Sequence, residues 1–346
     1  MEDSKKKNNK TIEMINLVLM MIGSLVGVGF LSGAEIFEFF ARFQKYSYLG
    51  ILIFFVLMFI LSYKILDSNN LNENALNMYN FNKKIHKNTS LLKFRLKSII
   101  VNFNVLMIAS AMFSGLYELT NKLFYHNGIF IFLTCVFIVF YILIKGIGCF
   151  SKVNFFIVIL LIFVTFVLIK NLNNNYQTIT NIKLDNSCNS ITLSCLFPIV
   201  YIFMNIVEIQ PVIKESGLKF NRKGKCVFSL CFSLILTTIL FVFTLFLQNH
   251  MNLCNSAMPL LDFFKSEGGI LYTIFTFGLL GGLISTLIAC LIGVKRGFVR
   301  KNFSNTSASF VAVFLALLIG IINFKFFVKI IYPIIGILNF IVFVFL

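Results

Sequence analysis

Apolar residues in this chain come in long blocks, separated by shorter stretches where Lys, Asn, Ser and Asp gather. About ten of these blocks run for roughly 17 to 25 residues, the length that crosses a bilayer as an α-helix. The pattern predicts membrane helices over 11–41, 46–65, 92–119, 128–144, 153–169, 190–213, 226–247, 270–293, 307–323 and 327–346. Between the seventh and eighth, Pro259 to Lys265 reads as a short helix started by its proline. Two blocks are not uniform. In the first, Gly23-Ser24-Leu25-Val26-Gly27-Val28-Gly29-Phe30 places three glycines in seven residues. Each glycine costs about 1 kcal/mol against alanine in a helix, so a break is expected at Val26 to Phe30. In the sixth, Pro198 and Pro211 flank Tyr201, Asn205 and Glu208, and a second discontinuity is expected there.

Composition agrees with a membrane protein. The chain has 346 residues, of which 58% are hydrophobic and only 12% charged. The fold class expected is all-α, a polytopic membrane protein of about ten transmembrane helices forming one domain over 1–346. The start of the chain is polar and lysine-rich and no small-residue cleavage site follows the first apolar run, so that run reads as a retained helix. A net charge of +17 would suggest nucleic acid in a soluble protein. Here most of the 30 Lys and Arg fall in alternate connections, as the positive-inside rule requires, with both termini cytoplasmic. That removes nucleic acid as a partner and leaves the lipid bilayer and a small-molecule solute. The abundance of Lys, Asn, Ile and Phe also looks like AT-rich codon bias. The segments around 67–90 and 214–225 are basic and read as internal, whereas 171–189 and 250–269 read as external. Eight cysteines lack metal-type spacing. Cys188 and Cys254 both fall in connections read as external, which leaves a disulfide between them open. His86, His126 and His250 form no cluster.

Ten helices divide into two sets of five, about 11–170 and 190–346. An odd number makes the second set enter the membrane in the opposite sense, which generates an inverted repeat with interrupted helices 1 and 6 in corresponding places. A broken helix frees carbonyls at the end of its first half and amides at the start of its second. The carbonyls suit a hard cation such as sodium, and the amides suit an anionic group. Helix 8 offers Gly282-Leu283-Ile284-Ser285-Thr286, two adjacent hydroxyls in an apolar span, with the Gly282 carbonyl one turn before them. Two plainer readings stand beside this one. Glycines at this spacing also permit close helix packing, and membrane hydroxyls commonly bond back to their own helix.

Gly23-x-x-Val26-Gly27-x-Gly29 together with Ser285-Thr286 resembles the sodium-coupled transporters of the LeuT fold. That resemblance implies a sodium site formed by the carbonyls of Gly23, Val26 and Gly282 and the hydroxyls of Ser285 and Thr286. More narrowly, Gly27-x-Gly29-Phe30-x-Ser32-Gly33-x-Glu35 with Phe39-Phe40 is similar to the YkvI-like bacterial membrane proteins of the amino acid–polyamine–organocation superfamily. Tyr201 and Asn205 fit the same pattern. Leu31 and Ala34 stand where that group usually carries Ala and Gln. The resemblance implies a secondary transporter of the bacterial cytoplasmic membrane, working by alternating access, with sodium as coupling ion and no further cofactor. Its solute would be an amino acid or similar small molecule, held by Gly27, Val28, Gly29, Phe30, Leu31, Tyr201 and Asn205, with any carboxylate on the amides of Val28 to Leu31. A ligand-sensing receptor subunit of the same fold, resembling germinant receptors, is the alternative. An enzyme is not expected, because no nucleophile–base set is visible.

The intramembrane acids are further candidates. Glu35 would line the outer vestibule. Glu208 reads either as a coupling or amine-binding carboxylate or as an interfacial partner of a basic loop residue. Glu38 is expected to pair with Arg42 or Lys45, and Glu118 with Lys122. The fifth block, 153–169, has no lysine that might replace a sodium ion.

Overall fold

The structure, a computed structural model, describes residues 14–19, 21–23, 25–82, 89–124, 127–145, 148–174, 191–216, 220–299 and 302–345, with backbone alone for 28, 68–82, 89–98, 148–154, 156, 173–174, 207–216 and 343–345. Among the described residues, regular structure is entirely helical. The first apolar block is divided into α1 (Met14–Gly23), α2 (Val28–Leu31) and α3 (Ala34–Phe39), followed by a 3-10 turn, Ala41–Tyr46. Then come α4 (Ser47–Asn82), α5 (Thr89–Leu123), α6 (Gly128–Lys145), α7 (Gly148–Asn174), α8 (Ile191–Ser216) and α9 (Arg222–Asn249). The short α10 (Pro259–Glu267) precedes α11 (Gly269–Val299) and α12 (Asn305–Ile319). The chain closes with α13 (Phe324–Phe326), a π-turn at Phe327–Ile331 and α14 (Tyr332–Phe345).

Among the described residues, six helices are long and apolar enough to cross a membrane: Ala41–Asp67, Ile99–Leu123, Gly128–Lys145, Arg222–Asn249, Gly269–Val299 and Phe324–Val342. Four further apolar helical segments are shorter: Met14–Gly23, Ile157–Leu172, Ile191–Ile206 and Asn305–Ile319. Large apolar side chains point outward on these helices, with Phe130 and Phe137 of α6 each 71% exposed. Water would not tolerate such a surface, whereas lipid does. This is the all-α architecture of a polytopic membrane protein. Its centre is α11, packed against α5, α7 and α12, while α4 runs beside both α8 and α9.

Most expected helices form, and the differences have local causes. The segment after Ile65, expected as a polar connection, stays helical to Asn82, because 66–82 holds neither glycine nor proline to stop it. Helix 9 ends at Ile319, where Gly320 comes so near the Ser110 carbonyl that a Cβ would lie 3.0 Å from it. The π-turn precedes Pro333, which lacks the amide a regular turn would use, and Tyr332 N donates instead to the Phe327 carbonyl. The expected break in helix 6 does not occur: α8 is continuous from Ile191 to Ser216. Pro198 removes only the donor to the Ser194 carbonyl. Gly50 of α4 closes on that spot, where a Cβ would stand 2.8 Å from Ser194 O and 2.7 Å from Pro198 Cγ.

Polar side chains tie the bundle together. Asn104 of α5 donates to Asn339 of α14 at 2.5 Å, and Asn339 Nδ2 donates to the Phe203 carbonyl of α8 at 3.1 Å. Gln248 at the end of α9 donates to the Ala41 and Gln44 carbonyls and the Ser47 hydroxyl, fixing the bend between α3 and α4. Lys225 pairs with Asp67 at 2.5 Å. On the other flank of α8, Gly336 of α14 rests on the Val200 carbonyl, leaving no space for a methyl. Gly336→Ala is therefore expected to destabilise the detergent-purified protein by roughly 1–3 kcal/mol through forced backbone displacement. Gly281→Ala, whose Cβ would meet Ile157 at an ordinary 3.4 Å, should leave the thermal midpoint unchanged or raise it.

Candidate functional site

The break in the first span follows from its glycines, and the hydrogen bonds show its form. Val26 N still reaches the Ile22 carbonyl at 2.9 Å, but Gly27 N turns to Leu25 O at 3.0 Å. In a regular helix Gly27 N would have served the Gly23 carbonyl. That oxygen instead accepts Ser285 Oγ of α11 at 3.2 Å. Val26 and Gly27 are non-helical, and the chain resumes at Val28 with Leu31 N donating to Gly27 O at 3.0 Å.

Three further contacts place α11 against the same point. A Cβ at Gly282 would lie 3.1 Å from the Val26 carbonyl oxygen and 2.5 Å from Leu31 Cδ1. A Cβ at Gly27 would lie 3.1 Å from Thr286 Oγ1. Thr286 is 1% exposed, and its hydroxyl is buried without a hydrogen-bond partner. So Ser285 reaches across to the broken span, and Thr286 does not bond back to its own helix. An unpaired hydroxyl at this depth costs about 1–3 kcal/mol. Two carbonyls and two hydroxyls thus gather where a small hard cation would find oxygen ligands. The donor set fits the ion implied by the resemblance.

The outer half of the first span is bent again at Ser32-Gly33. Gly33 has φ +81°, the left-handed region that favours glycine. Leu260 N, in the first turn of α10, donates to the Ser32 carbonyl at 2.9 Å. The bend folds the start of α3 back over α2. Glu35, expected in the outer vestibule, is consequently buried at 3% exposure. Its carboxyl group lies directly against Gly29, where any Cβ would collide with it. Tyr201 of α8 donates its hydroxyl to Glu35 Oε2 at 3.1 Å.

Part of the expected substrate cradle is taken up by the protein itself. The amides of Val28 to Leu31 do not stand ready as a set for a carboxylate, since Leu31 N serves Gly27 O and the protein's own carboxyl lies on Gly29. Phe30 is fully buried and packs on Phe243, with ring centroids 5.6 Å apart. Tyr201 is brought to the break, but Asn205 turns its amide to the Tyr201 carbonyl at 2.8 Å and so serves the helix. The side chains of Val28 and Glu208 lie outside those described.

The remaining acids take the expected partners, Glu38 with Arg42 at 2.5 Å and Glu118 with Lys122 at 3.8 Å. Cys188 and His86 and His126 lie outside the described residues. Cys254 is a free thiol, and burial pushes its pKa up to about 12, which keeps it protonated and unreactive. The Glu35–Tyr201 contact and the Asn104–Asn339 pair went unread in the sequence. Single asparagines inside long apolar blocks were the available signal for the latter. A scan of the chain against protein-family models finds no match, and a search of curated proteins finds none.

The orphaned hydroxyl gives a sharp test. In potassium chloride, Thr286→Val should leave stability unchanged or raise it by up to about 1 kcal/mol, since it removes an unsatisfied polar atom. The same variant should lose any stabilisation that sodium chloride gives the wild type. Ser285→Ala should lower stability in both salts by about 1 kcal/mol, because the Gly23 carbonyl loses its donor. Thermal unfolding in the two salts measures all of these.

Proposed function

We propose that the chain is a secondary active transporter in which sodium binding at the broken first span is coupled to movement of a small organic solute. The observation that carries this reading is the unpartnered, buried Thr286 hydroxyl facing a helix break whose Gly23 carbonyl is already bonded to Ser285. The carbonyls of Gly23, Val26 and Gly282, with the hydroxyls of Ser285 and Thr286, would hold the ion. The ion supplies a positive charge that binds α11 to both sides of the break. Linkage then does the coupling: an ion that prefers one arrangement of the break shifts the population toward it, and a solute with the same preference binds more tightly.

The six long and four shorter apolar helices among the described residues support a ten-span count, and with it the five-plus-five inverted arrangement of the LeuT type. Under that arrangement the solute lies between the first span and α8, beside Gly29, Glu35 and Tyr201. Its class is a small molecule carrying an amino group, amino acids included. The continuous α8 favours a second reading, a receptor subunit that senses such a ligand without moving it, because the counterpart of the first break is missing. The membrane is the bacterial cytoplasmic membrane, with both termini inside.

Proteoliposomes separate the two. For a transporter, an inward sodium gradient drives accumulation of at least one labelled amino acid or amine above its equilibrium level, and Thr286→Val abolishes it. For a receptor, the same compounds stabilise the protein but never accumulate. Uptake that proceeds equally in potassium removes sodium as the coupling ion.

A further inference from the structure

The bundle has a step where α12 stops. Its 15 residues, Asn305–Ile319, rise only about 22 Å, short of the roughly 30 Å of hydrocarbon in a bilayer. The chain turns at 320–323 and continues into α13. Beside that turn a cavity of about 930 Å³ opens between α5, α6 and the end of α12. Such a volume is near the top of the range that encloses small molecules, roughly 300–1,000 Å³. Its walls are apolar: Phe113 and Tyr117 of α5, Phe132 of α6 and Leu317 of α12. The aromatic walls hold one another, with the Phe132 ring edge-on to Tyr117 at 5.6 Å and to Phe113 at 6.5 Å. Lys325, just past the cavity, donates to the Asn255 carbonyl at 2.9 Å, so the cavity lies at the end of the bundle that carries α10.

Exposure fixes the level of this cavity in the membrane. The turn shows Ile321 83% and Ile322 39% exposed, apolar side chains suited to contact with acyl chains. Its backbone is irregular, and lipid-facing irregular backbone is not found within the hydrocarbon region. The turn therefore belongs at the boundary, with its isoleucines toward the acyl chains and its backbone among the headgroups. Tyr117, an exposed aromatic, is of the residue type that anchors at this boundary. At the same level the lining turns polar. Among the described residues lining the cavity, Glu118 is the one acid and Lys122 the one base, with Asn121 and Asn323 beside them. Glu118 and Lys122 stand 3.8 Å apart, an ion pair longer than a hydrogen bond. Each retains capacity for a further partner of opposite charge.

We propose that this cavity binds a phospholipid whose head carries a primary ammonium and a phosphate, as phosphatidylethanolamine does. The ammonium donates to Glu118, the phosphate accepts from Lys122 and an asparagine amide, and the acyl chains lie along Tyr117, Phe132 and Ile321. The charges decide the class. An anionic head would meet Lys122 but set its own charge against Glu118 and leave that carboxylate without a new cation. A choline head brings a cation with no N–H, so it attracts Glu118 without the charge-assisted hydrogen bond. An ethanolamine head is neutral overall, as the Glu118–Lys122 pair is, and supplies three donors. The lipid site is independent of what the broken first span binds.

Photolabelling tests the site. The full-length protein is placed in phosphatidylcholine nanodiscs with a trace of phosphatidylethanolamine that carries a photoactivatable group on its acyl chain, and the labelled peptides are mapped. Label is expected to concentrate on 113–123 and 317–324, the segments that line the cavity, over the other lipid-facing helices. Unlabelled phosphatidylethanolamine should displace it at roughly tenfold lower mole fraction than phosphatidylglycerol, the difference that one charge-assisted hydrogen bond makes. Glu118→Gln should abolish that preference, and Lys122→Gln should weaken both competitors. A partly exposed pair of this kind contributes little to folding, so both variants should keep the wild-type thermal midpoint in lipid-free detergent. The proposal is overturned by label spread evenly over the lipid-facing helices, by phosphatidylglycerol competing as well as phosphatidylethanolamine, or by an unchanged preference in Glu118→Gln.

Discussion

One carbonyl oxygen sets the problem that the rest of the bundle solves. Once Gly27 turns its amide to Leu25, the Gly23 oxygen is left without a helical donor inside an apolar environment. Lipid offers no hydrogen bonds, so irregular backbone at that depth survives only against protein or a polar cavity. Ser285 answers that need directly, and the answer fixes α11 in both height and rotation. With Ser285 on Gly23, Gly282 must face Val26 and Thr286 must face Gly27. The small residues on both helices are then a steric consequence of a polar contact, and α11 becomes the central element against which α5, α7 and α12 pack.

The second organising element is α8, and it works by the opposite device. Its backbone is regular, but its neighbours approach it through glycines: Gly50 at Ser194 and Pro198 on one flank, Gly336 at Val200 on the other. Close backbone approach is how membrane helices associate without a hydrophobic driving force. Asn339 adds a side-chain bond to the Phe203 carbonyl a turn further on. A helix clasped in this way is a firm platform, and it carries Tyr201 to the one carboxylate that the bend at Gly33 turns inward. A broken first span facing a continuous α8 is a different division of labour from two matched breaks.

Much of this was legible in the chain. Clustered glycines announced the break at Val26, because three of them in one short run make a continuous helix costly. Ser285 and Thr286 stood out as adjacent hydroxyls in an apolar block, and the salt partners of Glu38 and Glu118 followed from helical spacing. The burial of Glu35 was not legible. Read on a straight helix it belongs to the outer half of the span, and only the left-handed turn at Gly33 redirects it, a turn seated by Leu260 from far along the chain. The continuity of α8 was hidden for the same reason. Whether a proline interrupts a helix depends on what covers the orphaned carbonyl, and here the cover is Gly50, a residue of another helix.

The seat of α10 on the first span has a mechanical corollary. Met258, Leu260, Leu261 and Phe264 of this segment are all buried, each at 2% exposure or less, with Leu260 against Gly33 and Phe264 stacked on Phe275 of α11. Peeling the segment away into water would cost on the order of 5–10 kcal/mol from those four side chains alone. The docked position is therefore the resting one. Any undocked state must be brief or must draw on a comparable source of energy, which an electrochemical gradient or a tightly held guest can supply and random thermal agitation cannot sustain.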